Sequence, residues 1–201
     1  MDNTIDLYLA SASPRRRELL AQIGVRFASV SASVDETPRA NELPADYVCR
    51  LAKAKAKAGL QQLSAEGKPL LPVLGADTTV VIGQQILGKP ESEADALGML
   101  TRLGGNVHTV LTAVTLIAGE KSHTRLSESK VEFRTLTKQE MKTYWATGEP
   151  ADKAGAYGIQ GRGAVFVKAI HGSYSGIVGL PLAETAELLK LYKVPFWQVA
   201  E

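Results

Sequence analysis

The chain has 201 residues, 45% hydrophobic and 22% charged, an ordinary globular composition with length enough to bury a sizeable core. Lys and Arg number 23 against 21 Asp and Glu, and a net charge of +2 argues against a general nucleic-acid coat or an anionic-membrane binder, which need a large basic excess. The single cysteine, Cys49, excludes an internal disulfide and a framework of thiol ligands.

Apolar runs are broken well short of the roughly 20 residues a membrane span needs, so no membrane association is expected. The start, MDNTIDLYLASASPRRR, has acids first and bases last, the reverse of a secretory signal, which predicts a cytoplasmic protein. No linker, low-complexity tract or repeat divides the chain, so residues 1–201 read as one domain.

Leu7-Tyr8-Leu9-Ala10 reads as a short buried strand. A helix is expected from Pro14 to about Gln22, with Ser13 as its cap and Gly24 as its stop. A second strand falls near Val25–Ser33, and Asp46 opens a long helix through about Ser64. Leu71–Ala76 and Thr78–Ile82 read as strand, turning at Gly83-Gln84 into Gln85–Leu87. Glu91–Leu103 is helical, acid-rich at its start and closed by Gly104-Gly105.

Val107–Ile117 and Thr124–Arg134 read as two long strands joined at Gly119-Glu120. Thr137 and Glu140 form a capping box for a helix ending near Gly148. Ala164–Ile170 is a strand and Pro181 to about Tyr192 the last helix. Alternating elements with adjacent hairpins predict an α/β, mixed α+β, fold on a mixed sheet.

Ser11, Ser13, Arg15, Arg16 and Arg17 gather at the first helix N-terminus. A cation there opposes the helix dipole by roughly 0.3–1 kcal/mol, so an anion is the expected companion. Solvated arginines pointing away are the plainer alternative. Adjacent helical residues diverge by about 100°, so at most two of the three can face one ligand.

In the long helix, Arg50, Lys53 and Lys57 share a polar side, whereas Lys55 projects among Val48, Leu51, Ala52 and Ala58. Such a lysine either snorkels to the surface or serves a buried anion. Asp77 is one carboxylate inside the apolar run Leu74–Val81, with Gly75 and Ala76 leaving room beside it for a ligand. It is either a hydrogen-bonded acid at a strand break or an acid with a task. Lys89 comes near it if the two strands around Gly83 pair.

Glu36 is the other acid standing alone near a strand end. Two carboxylates without a histidine cluster suit Mg²⁺ or Mn²⁺; His108, His123 and His171 lack metal-ligand spacing. Asp152–Gly163 gathers four glycines around Tyr157 and Gln160 without matching a Walker or Rossmann pattern. Gly172–Gly176 with Gly179-Leu180-Pro181 offers a further anion site at the start of the last helix.

Together, Leu9-Ala10-Ser11-Ala12-Ser13-Pro14-Arg15-Arg16, Gly75-Ala76-Asp77-Thr78, Gly88-Lys89-Pro90, Asp152–Gly161 and Gly179-Leu180-Pro181 resemble the Maf family of nucleoside triphosphate pyrophosphatases, described also as septum-formation inhibitors. The segments keep the family's order across nearly the whole chain; Ala12 replaces a common glycine. The resemblance implies an inosine-triphosphatase-like fold, two lobes around a long mixed sheet with a central cleft, and a homodimer. It implies hydrolysis of a nucleoside triphosphate to monophosphate and pyrophosphate with a divalent cation, and no stable nucleic-acid complex.

By the same resemblance Asp77 is the proton acceptor. Ser11, Arg15, Arg16, Lys55 and Lys89 bind phosphate, and Glu36 and Asp77 hold the metal. Arg15, Thr78 and Gln160 resemble the set of the branch acting on dTTP and UTP, and differ from the 7-methyl-GTP branch. A glutamine amide, with donor and acceptor, suits the imide edge of uracil or thymine, and by rotating it also suits CTP or modified uridine nucleotides.

The expected mechanism is attack of water on the α-phosphorus. Asp77 takes the proton directly or acts as a ligand of the cation, and both roles stay open. One alternative is the 7-methyl-GTP pyrophosphatase branch of the same family; the other is a non-catalytic nucleotide- or nucleic-acid-binding regulator of cell division or septum formation. Asp77 speaks against the regulator, because an acid beside phosphate repels the ligand unless a cation bridges them.

Overall fold

The computed structural model describes residues 5–31 and 33–198. The acidic opening of the chain, residues 1–4, lies outside the described residues. The elements are β1 (Leu7–Ala10), α1 (Pro14–Gln22), β2 (Phe27–Ser29), α2 (Pro44–Ala65), β3 (Val73–Ile82), β4 (Gln85–Leu87) and α3 (Glu93–Leu103). Then come β5 (Val107–Ala118), β6 (Lys121–Phe133), α4 (Lys138–Trp145), β7 (Val167–His171), α5 (Tyr174–Val178) and α6 (Leu182–Leu191). Short 3₁₀ turns occupy Glu149–Asp152, Ala154–Ala156 and Arg162–Phe166. Among the described residues no helix is long and apolar enough to cross a membrane.

The strands form one mixed sheet, ordered β2-β1-β3-β5-β6-β7, with β4 added to β3. β1 is parallel to β2 and β3; every other pairing is antiparallel. The expected α/β architecture on a mixed sheet is therefore the observed one. β3 is central, and all its residues but Thr78 and Ile82 are buried, as its β-branched run demands. The two expected strands, Leu71–Ala76 and Thr78–Ile82, are one continuous strand that starts at Val73, so Asp77 sits in its middle rather than at a break.

One register relationship makes the cleft. β5 pairs β3 from Val73 to Val81 along one edge. On the opposite edge β1 pairs only Val73–Gly75 and β4 only Val80–Ile82. Between Gly75 and Val80 that edge is open, at the carboxyl end of β1. This is the kind of switch point where open α/β sheets leave a crevice.

Side chains alternate along β3, so Gly75 and Asp77 face α2 while Thr78 faces α1 and α5. The apolar face of α2 packs on β3 and β5 through Val48, Leu51 and Ala52, with Leu111 and Ala113. α1 and α6 cover the other face, with Leu19, Leu20 and Leu188 against Leu74, Leu116 and Val114. The far half of β5 and β6 carries a separate core with α3, α4 and the glycine-rich stretch. The cleft lies between these packed regions.

Several boundaries differ from expectation. β2 holds only Phe27–Ser29 because the residues after it turn away to carry Glu36 toward α2. α2 starts at Pro44, with Asp46 in its first turn. Ala164–Phe166 is 3₁₀ turn and β7 starts at Val167. α5 was not anticipated: five residues between glycines give no helical period, yet Ser173 caps them by accepting from Gly176 N–H.

Gly75 does not leave room for a ligand. A Cβ there would stand 2.4 Å from Ala52 O and 2.5 Å from Ala56 N. The missing side chain admits the backbone of α2, and so brings the helix close enough for its lysine to meet Asp77.

Candidate active site

The open stretch of β3 borders a cavity of about 660 Å³. Ser11, Arg15 and Arg16 reach it from the β1–α1 turn, Glu36 from the segment before α2, and Lys55 from α2. Asp77 and Thr78 come from β3, Lys89 from beyond β4 and Gln160 from the glycine-rich stretch. All nine candidate residues thus meet in one place. Arg17 is exposed and does not line it, so two of the three arginines face the cavity.

At its centre Lys55 Nζ lies 2.6 Å from Asp77 Oδ1 and 2.6 Å from Glu36 Oε1. Lys55 does not snorkel; its side chain is only 14% exposed. Lys53 and Lys57 are exposed, as the helical period requires. Burial pushes the Asp77 carboxyl above the usual carboxylate range, against the opposing pull of Lys55 and Arg16. Burial also raises Glu36, but its hydrogen bond to Lys55 and the charges of Lys55, Lys89 and Arg16 outweigh it and hold the carboxyl low.

On the other face of β3, Arg16 is fixed by three acceptors. Its Nε donates to Gly179 O at 2.8 Å, Nη1 to Ser11 Oγ at 3.3 Å and Nη2 to Thr78 Oγ1 at 3.2 Å. Burial lowers its guanidinium below the ordinary value, opposed by Asp77. Thr112 is the cross-strand neighbour of Thr78, and their hydroxyl oxygens stand 3.0 Å apart. The Thr112 hydroxyl donates to Gly176 O at 2.7 Å. Thr112 also donates to Thr78 Oγ1, so the Thr78 hydroxyl oxygen accepts from both Thr112 and Arg16.

The rim is built by Arg15, 3.6 Å from Asp152, which also pairs with Lys153. Gln160 is exposed there, beside buried Tyr157 and Ile159. Five cations (Arg15, Arg16, Lys55, Lys89 and Lys153) face three carboxylates, Glu36, Asp77 and Asp152. Such a balance favours a polyanion.

One local expectation is corrected. Ser13 is the N-cap of α1, but its hydroxyl makes no capping bond; Ser11 Oγ instead accepts from Ser13 N–H. At the start of α6, Leu182 N–H donates to Ser175 Oγ, so the first amide of that helix is taken by the chain itself.

Sequence reasoning missed Tyr47, Thr112 and Lys153. Tyr47 OH donates to Glu36 O at 3.0 Å and so holds the segment that delivers the carboxylate. Its signal was present: Tyr47, Leu51 and Lys55 follow at i, i+4 and i+8 on one helix face. Thr112 had no local signal, since only strand register brings it to Thr78.

Among the described residues no three His, Cys, Asp or Glu side chains gather as a metal cluster. Glu36 and Asp77 nonetheless converge on one cationic nitrogen, and an oxygen pair suits a hard divalent cation that completes its shell with water and phosphate.

Fold and cleft define an α/β protein with a cationic, carboxylate-bearing hollow at the switch point of a mixed sheet. A family model described as Maf-like protein matches residues 6–192, and the chain belongs to that family. It is 54% identical over 197 residues to the dTTP/UTP pyrophosphatase of Saccharophagus degradans, covering 98% of this chain and 93% of that one. The dTTP/UTP pyrophosphatases of Hahella chejuensis and Aromatoleum aromaticum are 53% and 52% identical, over 95% and 94% of this chain and 94% and 96% of theirs. Among solved structures there is a slight likeness to the Staphylococcus aureus Ham1 protein, at 13% identity and a TM-score of 0.45, over 63% of this chain and 71% of that one.

Proposed function

We propose that this chain is a nucleoside triphosphate pyrophosphatase that hydrolyses dTTP and UTP to the monophosphate and pyrophosphate, a house-cleaning step on the cytoplasmic nucleotide pool. Residues 1–201 would act as one catalytic domain, and the family resemblance extends the reading to a homodimer. The observation that carries the reading is the joint hold of Asp77 and Glu36 on Lys55, at the open stretch of β3 and under the cationic wall of Arg15 and Arg16. The dTTP/UTP names of relatives at 52–54% identity support the choice of nucleotide.

Water adds to the α-phosphorus, the bond to the bridging oxygen of the β-phosphate breaks, and pyrophosphate leaves. Asp77 takes the water proton, and burial makes it a better base than an exposed aspartate. Glu36 and Asp77 would hold Mg²⁺ or Mn²⁺, which when bound draws charge from the phosphate oxygens. Lys55 turns its ammonium from the two carboxylates toward the substrate, and Arg16, Arg15 and Lys89 neutralise charge on phosphate and on the leaving pyrophosphate. Ser11 contributes a hydroxyl beside Arg16.

Gln160 presents its amide to the imide edge of the base. Thr78 acts on specificity through Arg16, from whose guanidinium its hydroxyl oxygen accepts. Pyrophosphate release from a panel containing dTTP, UTP, CTP and 7-methyl-GTP, with and without Mg²⁺ or Mn²⁺, tests the reading. Turnover of dTTP and UTP that requires the metal supports it. Turnover of none contradicts it and favours a binding regulator.

A further inference from the structure

The glycine-rich stretch that carries Gln160 is wrapped around two side chains that do not line the cleft. Glu149 Oε1 accepts from Tyr144 OH at 2.7 Å and from Gly163 N–H at 3.1 Å, while Oε2 accepts from Arg162 N–H at 2.8 Å. Tyr144 OH accepts in turn from Gly158 N–H at 3.1 Å. One carboxylate and one phenol thus bind the backbone on both sides of Gln160.

The glycines follow from this arrangement. A Cβ on Gly161 would stand 2.5 Å from Glu149 Oε2, and one on Gly163 would stand 2.6 Å from Tyr144 OH. Tyr157 pins the preceding turn from below, its hydroxyl 2.8 Å from His108 Nε2. Burial raises the Glu149 carboxyl, but the donors around it outweigh that and hold it below the usual range, so it is charged at neutral pH.

We propose that Glu149, relayed by Tyr144, is a positioning residue for base selection: it fixes the 158–163 backbone and thereby the place from which Gln160 offers its amide. This rests on the reading of Gln160 as the residue that meets the base. Glu149→Gln keeps the volume but sets an amide N–H₂ against a backbone N–H donor, and Tyr144→Phe removes the relay alone.

The test measures kcat/KM for UTP and for CTP, whose 4-amino group donates where the uracil carbonyl accepts. It compares wild type, Glu149→Gln, Tyr144→Phe, Gln160→Ala and Gln160→Ala with Glu149→Gln. Amide hydrogen exchange across 158–163 reports the backbone directly, and thermal melting confirms folding. Glu149→Gln is expected to speed exchange about tenfold or more and to move the UTP/CTP ratio toward that of Gln160→Ala. It should add no further change in the Gln160→Ala background. Inhibition by pyrophosphate, which reads the phosphate end of the cleft, should stay within about twofold.

A Glu149→Gln enzyme with wild-type exchange, or a wild-type ratio while Gln160→Ala shifts it, overturns the inference and leaves the reading of Gln160 standing. A ratio unmoved in Gln160→Ala itself overturns that reading, and this inference with it. Should Glu149→Gln fail to fold, Tyr144→Phe decides by the same two readouts.

Discussion

Lys55 Nζ donates to Asp77 Oδ1 across 2.6 Å, from the middle of a helix to the middle of a strand. The contact exists because Gly75, two residues before Asp77 on the same face of β3, lets the α2 backbone settle against the strand at Ala52 and Ala56. Close packing and active-site geometry are here the same feature. The pair also explains how a mostly buried carboxylate and a mostly buried ammonium persist without substrate: each is the other's partner, with Glu36 as the third member.

Replacing Lys55 by alanine removes the cation between two carboxylates. A charge-assisted hydrogen bond of this kind contributes about 1.5–3 kcal/mol, so kcat/KM for UTP should fall roughly tenfold to a hundredfold. Lys53→Ala and Lys57→Ala, on exposed positions of the same helix, should stay within about twofold. Steady-state kinetics on the three variants checks this, and equal losses would contradict the inward placement of Lys55.

Thr112→Val should act on catalysis without touching the cleft. Valine keeps the shape but removes the hydroxyl that donates to Thr78 and ties β5 to Gly176 O. Thr78 and, through it, one Nη of Arg16 lose their fixed orientation. A loss of about 1 kcal/mol, near fivefold in kcat/KM, is expected. Kinetics at full substrate range measures it; an unchanged kcat/KM would show that Arg16 is held well enough by Gly179 and Ser11.

His108 sets a pH dependence of stability. It is 2% exposed, its Nδ1 has no hydrogen-bond partner among the described residues, and burial lowers its pKa to about 4. Unfolded, the imidazole titrates near 6.5. Between those values the unfolded chain binds a proton that the folded one excludes, so stability falls as the pH drops from about 6.5 to about 4. The share of His108 is on the order of 3 kcal/mol across that window. Urea unfolding of wild type and His108→Gln at pH 7 and pH 4.5 checks it: the variant should lose less stability on acidification, and parallel losses would contradict the assignment.

Much of this site was legible in the sequence because its members violate local pattern. Asp77 interrupts an apolar run, Lys55 falls on the apolar face of its helix, and Arg15 and Arg16 stand at the wrong helix end. What escaped depends on contacts distant in sequence. Thr112 is chosen by the β3–β5 register, 34 residues from Thr78. The partners of Glu149 include backbone N–H groups 13 and 14 residues ahead, which leave no pattern in side-chain identity. Gly75 was visible, but a glycine beside an acid does not say whether a ligand or a helix fills the space; the structure gives it to α2. The short α5 escaped because Ser173, its cap, stands in a stretch whose glycines read as turn.

The most direct test of the account is pyrophosphate release from UTP and dTTP, with Mg²⁺ or Mn²⁺ present, by wild type and Asp77→Asn, alongside nucleotide binding measured by calorimetry. Asparagine preserves shape and removes the base. Turnover by wild type is expected, with a loss of about 10²–10⁴-fold in kcat in the variant and nucleotide binding retained. A variant that turns over at near wild-type rate would contradict the assignment of Asp77, and with it the mechanism built on the Lys55–Asp77 pair.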